Sequence, residues 1–191
     1  YLDAFKALPV PHLPRFTGGL VGYFGYDSIR YIEDKLSECP NPDTIGAPDI
    51  LLMVSDEIVV FDNLSGKLYL IIHADPGKPN AFENARARLN GLSKQLRTGS
   101  LPIPTAKKSR SVSESDFVSS FPREDYEAAV DKIKEYIVAG DVMQVVPSQR
   151  MSIPFAGAPL DVYRALRSVN PSPYMYYLDL GDFHIVGSSP E

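Results

Sequence analysis

The sequence predicts an α+β fold with largely antiparallel sheets. Strand-like and helix-like stretches mix without a regular βαβ alternation. Two pairs of β-rich runs are joined by turn-type sequences, Asn63-Leu64-Ser65-Gly66 and Gly181-Asp182, which predict hairpins. Residues 83–96 and 123–139 carry apolar side chains at helical spacing.

The elements follow in order. Residues 18–26 mix glycine with Val21, Tyr23, Phe24 and Tyr26 and read as a strand. Gly18, Gly19, Gly22 and Gly25 do not form a phosphate-binding Gly-x-Gly-x-x-Gly pattern, so they read as sites of close backbone packing. Residues 35–48 hold Pro40, Pro42 and Pro48 and read as a loop. Residues 50–54, 57–61 and 67–72 are β-rich strands. In the helix at 83–96, Ala85, Leu89, Leu92 and Leu96 make the apolar stripe. Residues 97–120 are rich in serine, proline and threonine and predict the domain boundary. The helix at 123–139 starts with Pro122 at its first position, carries Glu124 and Asp125 in its first turn and ends at Gly140. Its stripe is Tyr126, Ala129, Val130, Ile133 and Ile137. Residues 142–146 predict a buried strand, 151–155 another, 160–168 a short helix, and 174–180 with 183–187 a hairpin. The domains expected are 1–99, a connector at 100–120, and 121–191.

Composition excludes several classes. The chain has 191 residues, 44% hydrophobic and 23% charged, within the ordinary globular range. Its net charge of −5, with no basic cluster, argues against a nucleic-acid or anionic-membrane surface. The short basic run at 107–110 reads as solvated linker. Cys39 is the only cysteine, so no internal disulfide forms. No apolar run is long enough to span a membrane, and no secretory signal is visible, so a cytoplasmic setting is expected. The chain opens at Tyr1 without methionine and stops at Glu191 after an apolar run, as an internal fragment would.

Chemistry concentrates in Asn170-Pro171-Ser172-Pro173-Tyr174-Met175. The prolines fix their own φ and push Asn170 and Ser172 toward extended backbone. Proline, tyrosine and methionine beside one asparagine amide suit a flat, mostly apolar ligand with a polar end. The same composition also suits a rigid strand entry packed into a core.

This motif resembles the tryptophan site of anthranilate synthase component I, the large subunit of a chorismate-utilising family. Gly18 to Asp27, Gly140 to Ser148 and Gly187-Ser188-Ser189-Pro190-Glu191 resemble further segments of that family, in order and at sensible spacing. The resemblance implies large sheets with helices packed outside. It implies a lyase that makes anthranilate and pyruvate from chorismate, with ammonia supplied by a glutamine amidotransferase subunit. It implies feedback inhibition by tryptophan through Asn170, Pro173, Tyr174 and Met175. Part of the family's pocket, a Leu-Leu-Glu-Ser-type motif, is absent from this chain.

The resemblance also marks two catalytic positions. Where related water-adding enzymes read Lys-Val-Val, this chain reads Gln144-Val145-Val146. A lysine held neutral can deprotonate water, whereas an amide does not titrate. Ammonia needs no such base, so Gln144 favours amine addition. Glu191 matches the acid that protonates the departing C4 hydroxyl, a role that requires a raised pKa. Magnesium is implied by the family, with its ligands outside this chain. His12, His73 and His184 match no metal position, and no ligand is assigned. Aminodeoxychorismate synthase and a non-catalytic amino-acid-binding module are the alternatives. Gln144 argues against an isochorismate or salicylate synthase.

Overall fold

The computed structural model describes residue 7, residues 9–100 and residues 111–189. The chain divides into two units, residues 1–102 and 103–191.

The first unit is built on two antiparallel hairpin-like pairs. Strand β1 (Gly19–Phe24) pairs with β2 (Ile50–Ser55), and β3 (Glu57–Asp62) pairs with β4 (Lys67–Ile72). Gly22 explains the closeness of the first pair. A Cβ there would strike the carbonyl of Leu51 on the partner strand, so only glycine fits. The 63–66 turn forms as predicted. Asp62 Oδ1 accepts from the backbone N–H groups of Leu64 and Ser65, each at 3.0 Å, and Gly66 takes φ 66°. The Ser65 hydroxyl and backbone bonds hold the Asp62 carboxyl below the usual carboxylate range.

Between β1 and β2 the chain is not featureless loop. Two 3₁₀ turns, Tyr26–Tyr31 and Asp34–Leu36, occupy it. Tyr26 therefore belongs to a turn rather than to β1. Arg30 staples the turns: its Nε donates to Asp27 at 2.6 Å and its Nη1 to the carbonyls of Leu36 and Glu38. At the base, Tyr31 Oη donates to Asp49 at 2.6 Å and Gly25 N–H to the Asp49 carbonyl.

Helix α1 (Ala81–Thr98) runs longer than the periodic stripe and packs on β4. Ala81, Ala85, Leu89 and Leu92 are half-buried, while Leu96 stays exposed. Arg88 reaches back to Glu57 on β3 in a bidentate pair, with Nε and Nη2 each donating at 2.7 Å.

The second unit holds β5 (Val118–Ser119), α2 (Arg123–Ala139), β6 (Met151–Ser152), α3 (Pro159–Val169), β7 (Tyr174–Asp179) and β8 (His184–Ser189). Helix α2 has the predicted span, and Gly140 stops it in the left-handed region at φ 83°. Pro122 precedes the first helical residue and has extended ψ. The expected strand at 142–146 is absent. Those residues are irregular, with Met143 96% exposed. A strand is held by a ladder of backbone hydrogen bonds, and this segment finds no neighbouring strand among the described residues. The expected strand at 151–155 shortens to β6 for the same reason. It pairs only with β5, which lies inside the predicted connector at 100–120.

Helix α3 packs on the hairpin of β7 and β8. The turn at Gly181 closes with Leu180 N–H donating to the Phe183 carbonyl at 3.1 Å. The observed mix of helices and antiparallel strand pairs is the fold class predicted. Among the described residues no side chain is fully buried.

Two glycines test this packing in opposite directions. Gly22→Ala should destabilise the full-length protein by about 1–3 kcal/mol, because the added methyl overpacks against backbone. Gly91 lies mid-helix with open space at its Cβ position, so Gly91→Ala should stabilise by about 0.5–1 kcal/mol. Chemical denaturation of the two variants measures both.

Candidate functional site

Residues 170–175 join α3 to β7. Asn170 ends the helix, its N–H donating to the Leu166 carbonyl at 2.8 Å. Ser172, held between two prolines, accepts from the Tyr174 N–H at 3.2 Å. That bond turns the chain into β7 with little freedom left.

Side chains then alternate across the strand. Tyr174 and Tyr176 are exposed, at 61% and 46%, whereas Met175 and Tyr177 are half-buried. The Tyr177 ring meets Tyr163 of α3 edge-on at 6.2 Å, so its row faces the helix. Met175 shares that row, and Tyr174 lies on the opposite face. A flat ligand therefore meets the two side chains from different sides of the sheet.

Strand β8 completes the site. Tyr174 pairs with Ser189, Met175 with Ser188 and Tyr176 with Gly187. Directly paired residues share a face, so Ser188 stands beside Met175. Its hydroxyl donates to the Asn170 carbonyl at 2.8 Å. The structure thus brings Asn170, Met175 and Ser188 together. Pro173 is exposed at the strand entry. Ser172 and Ser188 were missed by sequence reading. For Ser172 the signal was a serine two residues before its backbone partner, inside an already suspect motif; Ser188 gave no local signal, because its partner lies 18 positions away.

Gln144 sits in the irregular segment after α2, and its side chain is exposed. No hydrogen bond joins it to residues 170–175 among the described residues. A clasp fixes the far end of its segment: Gln149 Nε2 donates to Ser119 Oγ at 2.8 Å and to the Phe121 carbonyl at 3.1 Å. Glu191 and the basic run at 107–110 lie outside the described residues.

The histidines are separate. His73 Nε2 lies 2.6 Å from the Thr17 carbonyl, and His184 lies 3.3 Å from Asp179 across the hairpin. Among the described residues no three His, Cys, Asp or Glu side chains converge as a metal site would require.

Residues 2–191 match the family described as chorismate binding enzyme. The chain belongs to that family. It is 59% identical over 192 residues to anthranilate synthase component 1 of Pseudomonas putida and 55% identical to that of Neisseria meningitidis serogroup B. These alignments take in 100% and 99% of the chain but 39% and 38% of the relatives. The crystal structure of anthranilate synthase component I from Streptococcus pneumoniae superposes with a TM-score of 0.76 at 35% identity, over 97% of this chain and 41% of that one. The chain thus spans about two fifths of the length of the relatives it matches.

A cavity lies elsewhere, in the first unit. It measures about 770 Å³, and Leu20, Val54, His73, Lys78, Ala85 and Arg88 are among its walls. None of the sequence-predicted site residues lines it. Its Arg88 is already paired with Glu57.

The Glu57–Arg88 pair has a pH signature. The Arg88 hydrogen bonds hold the Glu57 carboxyl below the usual carboxylate range. A lowered folded-state pKa contributes stability above the unfolded value, about 4.3, and loses it as pH falls through the folded value. Arg88→Met should therefore lower Tm of the full-length protein modestly near neutral pH, as expected of an exposed pair. The gap from wild type should close below about pH 4. Tm measured across that range checks it.

Proposed function

We propose that this chain is part of the large subunit of anthranilate synthase, a cytoplasmic lyase of tryptophan biosynthesis. The observation that carries this reading is 59% identity, along the whole chain, to a protein named anthranilate synthase component 1. In the proposed reaction ammonia adds at C2 of chorismate while the C4 hydroxyl leaves as water. Loss of pyruvate then makes the ring aromatic. A glutamine amidotransferase subunit supplies the ammonia.

Glu191 gives the proton that turns the C4 hydroxyl into water. Substrate carboxylates beside it would favour its protonated form. Gln144 takes no proton, so water is not activated at its position and ammonia has no competing nucleophile made there. Tryptophan binds at Asn170, Pro173, Tyr174 and Met175. Met175 offers a polarizable surface to the indole, and the chain around Asn170 offers backbone polar groups to the amino-acid end. Magnesium would be held by residues outside this chain, since among the described residues no three His, Cys, Asp or Glu side chains converge to hold it. The chain alone, at 39% of its relative's length, is expected to be inactive.

The test uses the full-length protein with magnesium, chorismate and ammonium. Fluorescent anthranilate, suppressed by L-tryptophan, is the expected result. A non-aromatic amino product would move the assignment to aminodeoxychorismate synthase. Glu191→Gln should cut turnover by roughly 100-fold or more, in the range of lost general acid catalysis. Gln144→Lys should lower ammonia-dependent turnover, and an unchanged rate would remove the role given to Gln144.

A further inference from the structure

Two segments with different proposed tasks are adjacent strands of one hairpin. Strand β7 opens at Tyr174, within the proposed tryptophan motif. Strand β8 ends at Ser189, and Pro190 and Glu191 follow it in the sequence. The register sets Tyr174 against Ser189 and Met175 against Ser188.

The register is locked from both faces. On one face the Tyr176 ring lies over Gly187, in the space that a Cβ there would need. A one-residue slip would bring Val186 or Ser188 under that ring and reverse every side chain of β8. On the other face the half-buried Ser188 hydroxyl bonds the Asn170 carbonyl at 2.8 Å. Among the described residues, Ser188 is the side chain of β8 that hydrogen-bonds the 170–175 segment. It stands three residues before Glu191.

Resting on the reading that residues 170–175 bind tryptophan and Glu191 is the acid, we propose that Ser188 is the positioning residue that couples them. Its hydroxyl ties Asn170, at the end of α3, to the strand that leads to the acid. Inhibition requires tryptophan to bind the less active state more tightly than the active one. A ligand that holds the Asn170 carbonyl in one position also holds Ser188, and with it the end of β8. Replacing the hydroxyl by hydrogen removes this link and leaves the backbone ladder intact.

The test compares Ser188→Ala and Ser188→Thr with wild type in the full-length enzyme. Tryptophan inhibition is read from anthranilate formation, with kcat and chorismate KM recorded without tryptophan. Tryptophan affinity is read separately by calorimetry, so loss of turnover does not end the test. Ser188→Ala should raise the half-inhibiting tryptophan concentration roughly threefold to tenfold, the worth of one hydrogen bond. Ser188→Thr, which keeps the hydroxyl, should restore inhibition. Unchanged inhibition and affinity in Ser188→Ala would overturn the proposal. An equal loss in Ser188→Thr would also overturn it, because packing rather than the bond would then be responsible. A wild-type enzyme that neither binds nor responds to tryptophan would remove the underlying reading, and this inference with it.

Discussion

The antiparallel ladder from Tyr174–Ser189 to Asp179–His184 is the constraint on which the second unit depends. It decides that Met175 and Tyr177 face α3 and that Tyr174 and Tyr176 do not. It sets Ser188 beside Met175 and within reach of Asn170. Gly187 is what permits this register, since the Tyr176 ring occupies the place of any larger side chain. Helix α3 then has one surface to pack against, and the Tyr163–Tyr177 contact anchors it there. A shift in this ladder would scramble the proposed effector segment and the approach to the proposed acid together.

The first unit depends on local closures instead. Gly22 lets β1 and β2 approach, Asp62 shapes the turn between β3 and β4, and Arg88 clamps α1 to β3. Among the described residues each sheet has two strands, so each has faces and edges that it cannot cover alone. Phe61 at 69% exposure and Tyr26 at 93% show how much apolar surface is left open. Relatives of the chorismate binding family are about two and a half times as long as this chain. Measurements of stability and activity therefore belong in the full-length protein.

Elements whose cause is local were legible in the sequence. Helix α2 announces itself by its acidic first turn, its stripe and Gly140. The hairpins announce themselves by Asn63 to Gly66 and Gly181-Asp182. Elements that need a distant partner were not. Residues 142–146 have the composition of a strand, yet composition supplies no hydrogen-bonding neighbour, and they stay irregular. The 3₁₀ turns at 26–36 depend on Arg30 reaching the carbonyls of Leu36 and Glu38, which no periodicity encodes. The site was legible as a motif, not as an arrangement. Adjacent residues Tyr174 and Met175 read as one lining, whereas strand alternation sends them to opposite faces. Ser188 lies within the 187–191 motif, but its bond to Asn170 spans 18 positions and appears only when the strands pair.

Amide hydrogen exchange on the full-length protein, with and without L-tryptophan, tests most directly whether the β7–β8 ladder joins the effector segment to the catalytic one. The account predicts slowed exchange in residues 174–179 and 184–189 together when tryptophan binds. Protection confined to other parts of the protein, with both strands of the hairpin unchanged, would contradict it.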